Sequence, residues 1–213
     1  MTGTPMLRIL GRPSSINVRK VLWTAAEIGL EFTHEPQWAS PEAPASTPEF
    51  LRLNPNGLVP VIEDEAGVLW ESNTICRYLA RKHGRTDLLP AEPAAQAGVE
   101  MWMDWQATEL NGAWRYVFMA LGRRDPAYTD PHEIAAGARR WRAAMGILEA
   151  RLARTGAFVA GERFTLADVV VGLSVHRWRA TPMERPPLPA VEAYHRRLLG
   201  RPAYAAHARP DVP

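Results

Sequence analysis

The sequence predicts two regions of different class. Residues 1–85 read as an α/β unit with a small mixed, four-stranded sheet, and residues 94–213 as an all-helical bundle. Three observations carry this. Short alternating apolar runs interleave with helical stretches before residue 85. A segment bearing prolines, 86–93, reads as a linker. Beyond it the apolar spacing is helical throughout.

The elements follow in order. Met6 to Leu10 is short and alternating, a strand. Ile16 to Ile28 has helical spacing, and Gly29 supplies its stop. Glu31 to Glu35 reads as a second strand. Thr47-Pro48 starts a helix, with Thr47 as N-cap and Pro48 at the first helical position. Val59 to Glu63 and Val68 to Trp70 flank a turn at Asp64-Glu65-Ala66-Gly67. Ser72 to His83 is a helix ending at Gly84. The order is βαβαββα. In the second region, Trp114, Val117, Phe118 and Leu121 share one helical face. Ile134, Ala138, Trp141, Met145, Leu148 and Leu152 share another. Thr165-Leu166-Ala167-Asp168 has the form of a capping box, and it opens the apolar run of a buried central helix. Pro189 begins a final helix.

Composition excludes several classes. A formal charge of +2 over 213 residues gives no argument for nucleic acid. No apolar run approaches the length of a membrane span, and the N-terminus lacks a signal-peptide pattern. The single cysteine, Cys76, forms no intramolecular disulfide and fits a reducing cytoplasm. It reads as a small buried hydrophobe. The six histidines have no metal-binding spacing, so no metal is expected. Of eight tryptophans, Trp102, Trp105, Trp114 and Trp141 cluster early in the second region. They suit either an aromatic wall or a bulky core.

The run Asn54-Pro55-Asn56-Gly57-Leu58-Val59-Pro60-Val61 is the most informative. Asn-Pro and Asn-Gly are turn signals. Pro60 cannot donate to a ladder, so it belongs at a strand start. A cis Val59-Pro60 bond would present the Val59 backbone to a ligand. Glu71-Ser72 opens a helix whose N-terminus favours an anion. Together these suit an extended, peptide-like ligand with a carboxylate at one end.

With T-L-A-D in a helical region downstream, this pattern resembles the cytosolic glutathione S-transferases. The likeness is to bacterial theta-like members, through Gly11-Arg12-Pro13-Ser14-Ser15-Ile16-Asn17-Val18-Arg19-Lys20-Val21. It implies a thioredoxin-like N-terminal domain, a helical C-terminal domain, a homodimer, and attack of the glutathione thiolate on a small hydrophobic electrophile. It also implies that the serine fourteen residues before Gly29, Ser15, activates the thiol. Ser14 is the reserve, and Asn17 is an additional donor. A free thiol titrates near about 8.5, and a hydroxyl donor at a helix N-terminus favours its anion. By the same resemblance, Val59 on Pro60 pairs with the cysteinyl part, Glu71 accepts from the γ-glutamyl amino group, and Ser72 holds the γ-glutamyl carboxylate.

Leu58 departs from the pattern, since related chains often place a cation there for the glycyl carboxylate. Arg12 and the loop Gln37-Trp38-Ala39 are the possible substitutes. The electrophile pocket is expected between the domains, with Trp105, Asn111, Trp114, Arg115 and Phe118 as candidates. A non-catalytic ligand- or partner-binding protein on the same scaffold is the alternative.

Overall fold

A computed structural model describes residues 6–208. The chain divides into two compact units, with the boundary between Thr86 and Asp87.

In the first unit, β1 (Leu7–Leu10) leads to α1 (Ile16–Ile28), β2 (Phe32–Glu35), α2 (Pro48–Leu53), β3 (Val61–Asp64), β4 (Gly67–Trp70) and α3 (Ser72–Lys82). The βαβαββα order therefore holds, and strand and helix ends shift by no more than about two residues, the usual fraying. The sheet is mixed, in the order β2-β1-β3-β4. β1 runs parallel to β2 and antiparallel to β3, and β3 pairs with β4 as a hairpin. α1 stops where Gly29 takes φ 83° and its N–H returns to the carbonyls of Ala25 and Ala26. That left-handed turn is open to glycine at little cost. Thr47 caps α2 through its hydroxyl, which accepts from the Phe50 N–H at 3.3 Å.

Ile9, Leu10, Val18, Val21, Val61, Ile62, Ile75 and Leu79 are buried, so sheet and helices share one apolar core. Cys76 is fully buried there, 3.2 Å from the Thr24 hydroxyl, and burial pushes its thiol up to about 11. It is a packing residue. Behind the β3–β4 turn, the Asp64 carboxylate accepts from Tyr78 at 2.7 Å and from Lys82 at 2.8 Å. This ties α3 to the hairpin.

The second unit is helical: α4 (Pro93–Trp105), α5 (Asn111–Val117), α6 (Pro131–Thr155), α7 (Leu166–Ala180), α8 (Pro189–Leu199) and α9 (Pro202–His207). π-helical turns at Gln106–Leu110 and Phe118–Gly122 follow α4 and α5. Their wider ladder interrupts the 3.6-residue period, which sequence spacing does not reveal. The segment expected as a linker is partly built into this unit. Leu88 and Leu89 are buried, and the Leu88 carbonyl accepts from the Leu166 N–H at 3.0 Å.

α7 is the central helix, buried from Leu166 to Trp178. Its start is the expected capping box. Asp168 Oδ2 accepts from the Thr165 N–H at 2.9 Å, and Oδ1 accepts from the Val159 N–H at 2.9 Å and the Tyr194 hydroxyl at 3.1 Å. No helix among the described residues is long and apolar enough to cross a membrane.

Candidate active site

The register of the sheet gathers the candidate residues. Leu10 pairs with Glu35 on one side and Val61 on the other, and Val61 pairs with Trp70. These four residues form a row across one end of the sheet. Every segment that leaves or enters at this row carries a residue singled out from the sequence. Arg12 to Ser15 follow Leu10, and Gln37 to Ala39 follow Glu35. Leu58 to Pro60 precede Val61, and Glu71-Ser72 follow Trp70.

The loop after β1 is tightly fixed. The Gly11 N–H donates to the Glu35 carbonyl and the Arg12 N–H to the Trp38 carbonyl, both at 3.0 Å. The Ser15 N–H turns back to the Arg12 carbonyl at 3.1 Å. Gly11 has φ 141°, and a Cβ there would lie 2.5 Å from Val18 Cγ2 and 2.8 Å from Val59 Cβ. Glycine is thus what lets this loop close against Val59. Ser15 stands at the N-cap of α1 with extended backbone, and its hydroxyl makes no capping bond. Asn17, the second residue of α1, is half-buried, and its Oδ1 has no partner among the described residues.

The loop before β3 is organised by Asn54, a residue that sequence reading registered only as a turn former. Its Nδ2 donates to the Leu58 carbonyl at 2.7 Å, and its Oδ1 accepts from the Asn56 N–H at 3.0 Å. The Gly57 N–H closes the turn on the Asn54 carbonyl at 3.0 Å. The Val59-Pro60 bond is cis. Leu58 is 61% exposed, and no charge accompanies it at that position.

At α3, Glu71 occupies the N-cap and Ser72 is the first helical residue, so Ser72 is not itself the cap. Glu71 has φ 71° and ψ 107°, a conformation that disfavours a side chain by about 1–3 kcal/mol. Such strain concentrates where the backbone is held for a ligand. Two helix N-termini, those of α1 and α3, thus lie at the same end of one sheet, and both favour negative charge.

The residues proposed for an electrophile pocket belong to the second unit, and they divide. Trp114 and Phe118 are buried, 5.5 Å apart and edge to face, with the Arg177 guanidinium 4.5 Å and 3.9 Å from their ring centroids. Trp141 packs beside Trp114. These rings are taken up by the core of the helical unit, the outcome a stripe at helical spacing favours. Asn111 is half-buried and accepts from Gln106 Nε2 at 2.8 Å. Arg115 is exposed. Trp105 is half-buried and lines a groove of about 430 Å³ with Ala113, Arg140, Ala144 and Ile147. Among the described residues, no three His, Cys, Asp or Glu side chains converge as metal ligands would.

Known families match this arrangement. Residues 14–82 match the glutathione S-transferase N-terminal domain and residues 131–197 the C-terminal domain. The chain belongs to the glutathione S-transferases. It is 35% identical to glutathione S-transferase GstB of Escherichia coli K12, over 93% of this chain and 95% of that one. A theta class glutathione S-transferase from Xanthomonas axonopodis pv. citri, solved with glutathione bound, superposes with a TM-score of 0.89 at 38% identity. It covers 96% of this chain and 97% of its own. The thioredoxin-like N-terminal domain and helical C-terminal domain of a theta-like glutathione S-transferase are therefore present. Elongation factor 1-gamma 2 of rice is 32% identical over 74% of this chain, but that match spans only 38% of its own length.

Proposed function

We propose that the protein is a glutathione transferase in which the Ser15 hydroxyl stabilises the glutathione thiolate for attack on a hydrophobic electrophile. The reaction is conjugation or displacement of a halide. The observation that carries this reading is the row Glu35–Leu10–Val61–Trp70, which brings Ser15, Val59 and Glu71-Ser72 to one end of the sheet. The relative solved with glutathione bound supports the same ligand.

Each group has a task suited to its chemistry. The Ser15 hydroxyl, not used to cap its helix, donates to the sulfur, and the N-terminus of α1 adds positive potential. Each unit by which the thiol pKa falls corresponds to about 1.4 kcal/mol. The Val59 backbone pairs with the cysteinyl part beside Pro60. Glu71 takes the γ-glutamyl ammonium, and Ser72 with the α3 N-terminus takes the γ-glutamyl carboxylate. The sulfur then attacks the electrophilic carbon and the leaving group departs with its electron pair. Trp105, Asn111 and Arg115 remain the candidates for the electrophile, and an exposed arginine suits an anionic one. A homodimer is the expected assembly.

Mixing the protein with glutathione at neutral pH gives a thiolate absorbance in the ultraviolet. Ser15→Ala abolishes it while leaving the circular dichroism spectrum intact. An unchanged absorbance moves the role to Ser14 or Asn17.

The exposed, uncharged Leu58 favours a second reading, a non-catalytic binding protein on the same scaffold. Calorimetry showing no glutathione binding at millimolar concentration selects it over the enzyme.

A further inference from the structure

The glycyl carboxylate of glutathione has no cation at position 58. We propose that Arg12 supplies it. The inference rests on the glutathione reading above and deepens it by naming the residue that reads the far end of the ligand.

Four observations carry it. Arg12 lies in the loop that leads to Ser15, and its main chain is fixed at both ends, N–H to the Trp38 carbonyl and carbonyl to the Ser15 N–H. Its side chain is exposed and has no ion-pair partner among the described residues. Gly11 packs directly on Val59. Arg12 and Leu58 are therefore each one residue from a pair in contact, a separation a long arginine side chain spans. Finally, the loop after β2 carries no competing cation, its one charged residue being the carboxylate Glu42. Gln37 is neutral, Ala39 is apolar, and the Trp38 indole N–H is spent on Glu35 Oε2 at 3.0 Å while its ring packs 5.2 Å from Phe50.

Three other cations of this unit are committed or face elsewhere. Arg8 is paired with Glu35 and Glu63. Lys20 is buried and bonded to Asn73 Oδ1 at 3.2 Å. Arg52 follows the core-facing Phe50 by two residues, about 200° around α2, so it points away from the cluster formed by Leu10, Ala45, Phe50 and Val61. Arginine also suits the task, because its planar fork meets a carboxylate with two parallel hydrogen bonds.

The test compares glutathione with its glycyl monoethyl ester, titrated calorimetrically into wild type, Arg12→Gln and Arg12→Lys. Wild type is expected to bind the ester about ten- to a hundred-fold more weakly than glutathione, the value of a hydrogen bond to a charged group. Arg12→Gln binds glutathione more weakly by a similar factor and no longer distinguishes the two ligands. Arg12→Lys recovers part of the difference. If Arg12→Gln discriminates as well as wild type, or wild type binds both ligands equally, Arg12 does not read the carboxylate and the glutathione reading stands. If wild type binds neither, both fall together. The ester comparison on wild type needs no variant to fold.

Discussion

Asn54 is almost fully buried, and its amide makes three contacts within its own loop. Those contacts set where Leu58 leaves the turn and hence where Val59 stands. Asn54→Ala removes the donor to the Leu58 carbonyl and the acceptor for the Asn56 N–H, two part-buried hydrogen bonds. Chemical denaturation should show a loss of about 1–3 kcal/mol. Asn54→Asp restores the acceptor but not the donor, so it recovers only part of this. If the residue positions the ligand's cysteinyl segment, glutathione affinity at a temperature where both variants are folded falls in both. A loss of stability with unchanged affinity would make Asn54 a structural residue alone. Sequence spacing located this turn but not the role of its first asparagine, because an Asn-Pro signal describes backbone shape and not what a side-chain amide bonds to. The places of Ser15 and Glu71-Ser72 at helix starts are legible for the opposite reason, whereas the roles proposed for them come from the family resemblance. Helix starts leave residue-type signatures, and the reach from sheet to helix is short.

The elements differ in how plainly they were written. α1 runs over the expected residues because a proline-serine turn precedes it and Gly29 ends it. α4 and α5 were harder. Gln106 occupies a core position that an apolar pattern would assign to a hydrophobe, and its amide joins Asn111 to Ser174 Oγ at 2.9 Å, beside the first π-turn. A polar residue at a core position and an inserted residue in the ladder both defeat a 3.6-residue count. α7 tests how much one cap contributes to an element. Asp168 is fully buried, and burial raises its carboxyl to about 6 despite four hydrogen bonds. Asp168→Ala strands the Val159 and Thr165 N–H groups and should destabilise by roughly 2–4 kcal/mol, read by urea denaturation. The pH dependence has a definite sign. A raised carboxyl pKa means the folded state holds its proton where the unfolded chain has lost it. Its contribution is therefore complete below about 4 and is lost as pH rises through 6. The stability of wild type relative to Asp168→Asn should increase as pH falls from 7 to 4, by an amount on the order of 2 kcal/mol. A difference independent of pH would show that the carboxyl titrates alike in the folded and unfolded chains.

At the scale of the whole molecule, the expected homodimer needs a surface that the single chain leaves apolar. The helical unit has one. Trp105 and Ile147 line the groove between α4–α5 and α6, and Ile147 is 53% exposed. Met101, one turn before Trp105 on α4, is 55% exposed. Large apolar side chains grouped on one face are unusual on a monomer, and a two-fold interface would present the same patch from both copies. The formal charge of +2 opposes association of two copies only weakly. Sedimentation equilibrium is expected to give about twice the chain's 23.7 kDa. Ile147→Arg places a like charge opposite itself across a two-fold axis and should shift the mass toward that of one chain, more at low salt than at high salt. The distribution between the two species should then depend on concentration, with apparent stability following it by mass action. A monomeric wild type would leave the groove to a different occupant. A dimer untouched by Ile147→Arg would place the interface on another face. Because Ile147 belongs to the helical unit and Ser15, Val59 and Glu71 to the other, the variant should keep the glutathione thiolate signal. Assembly and thiolate formation can therefore be measured separately.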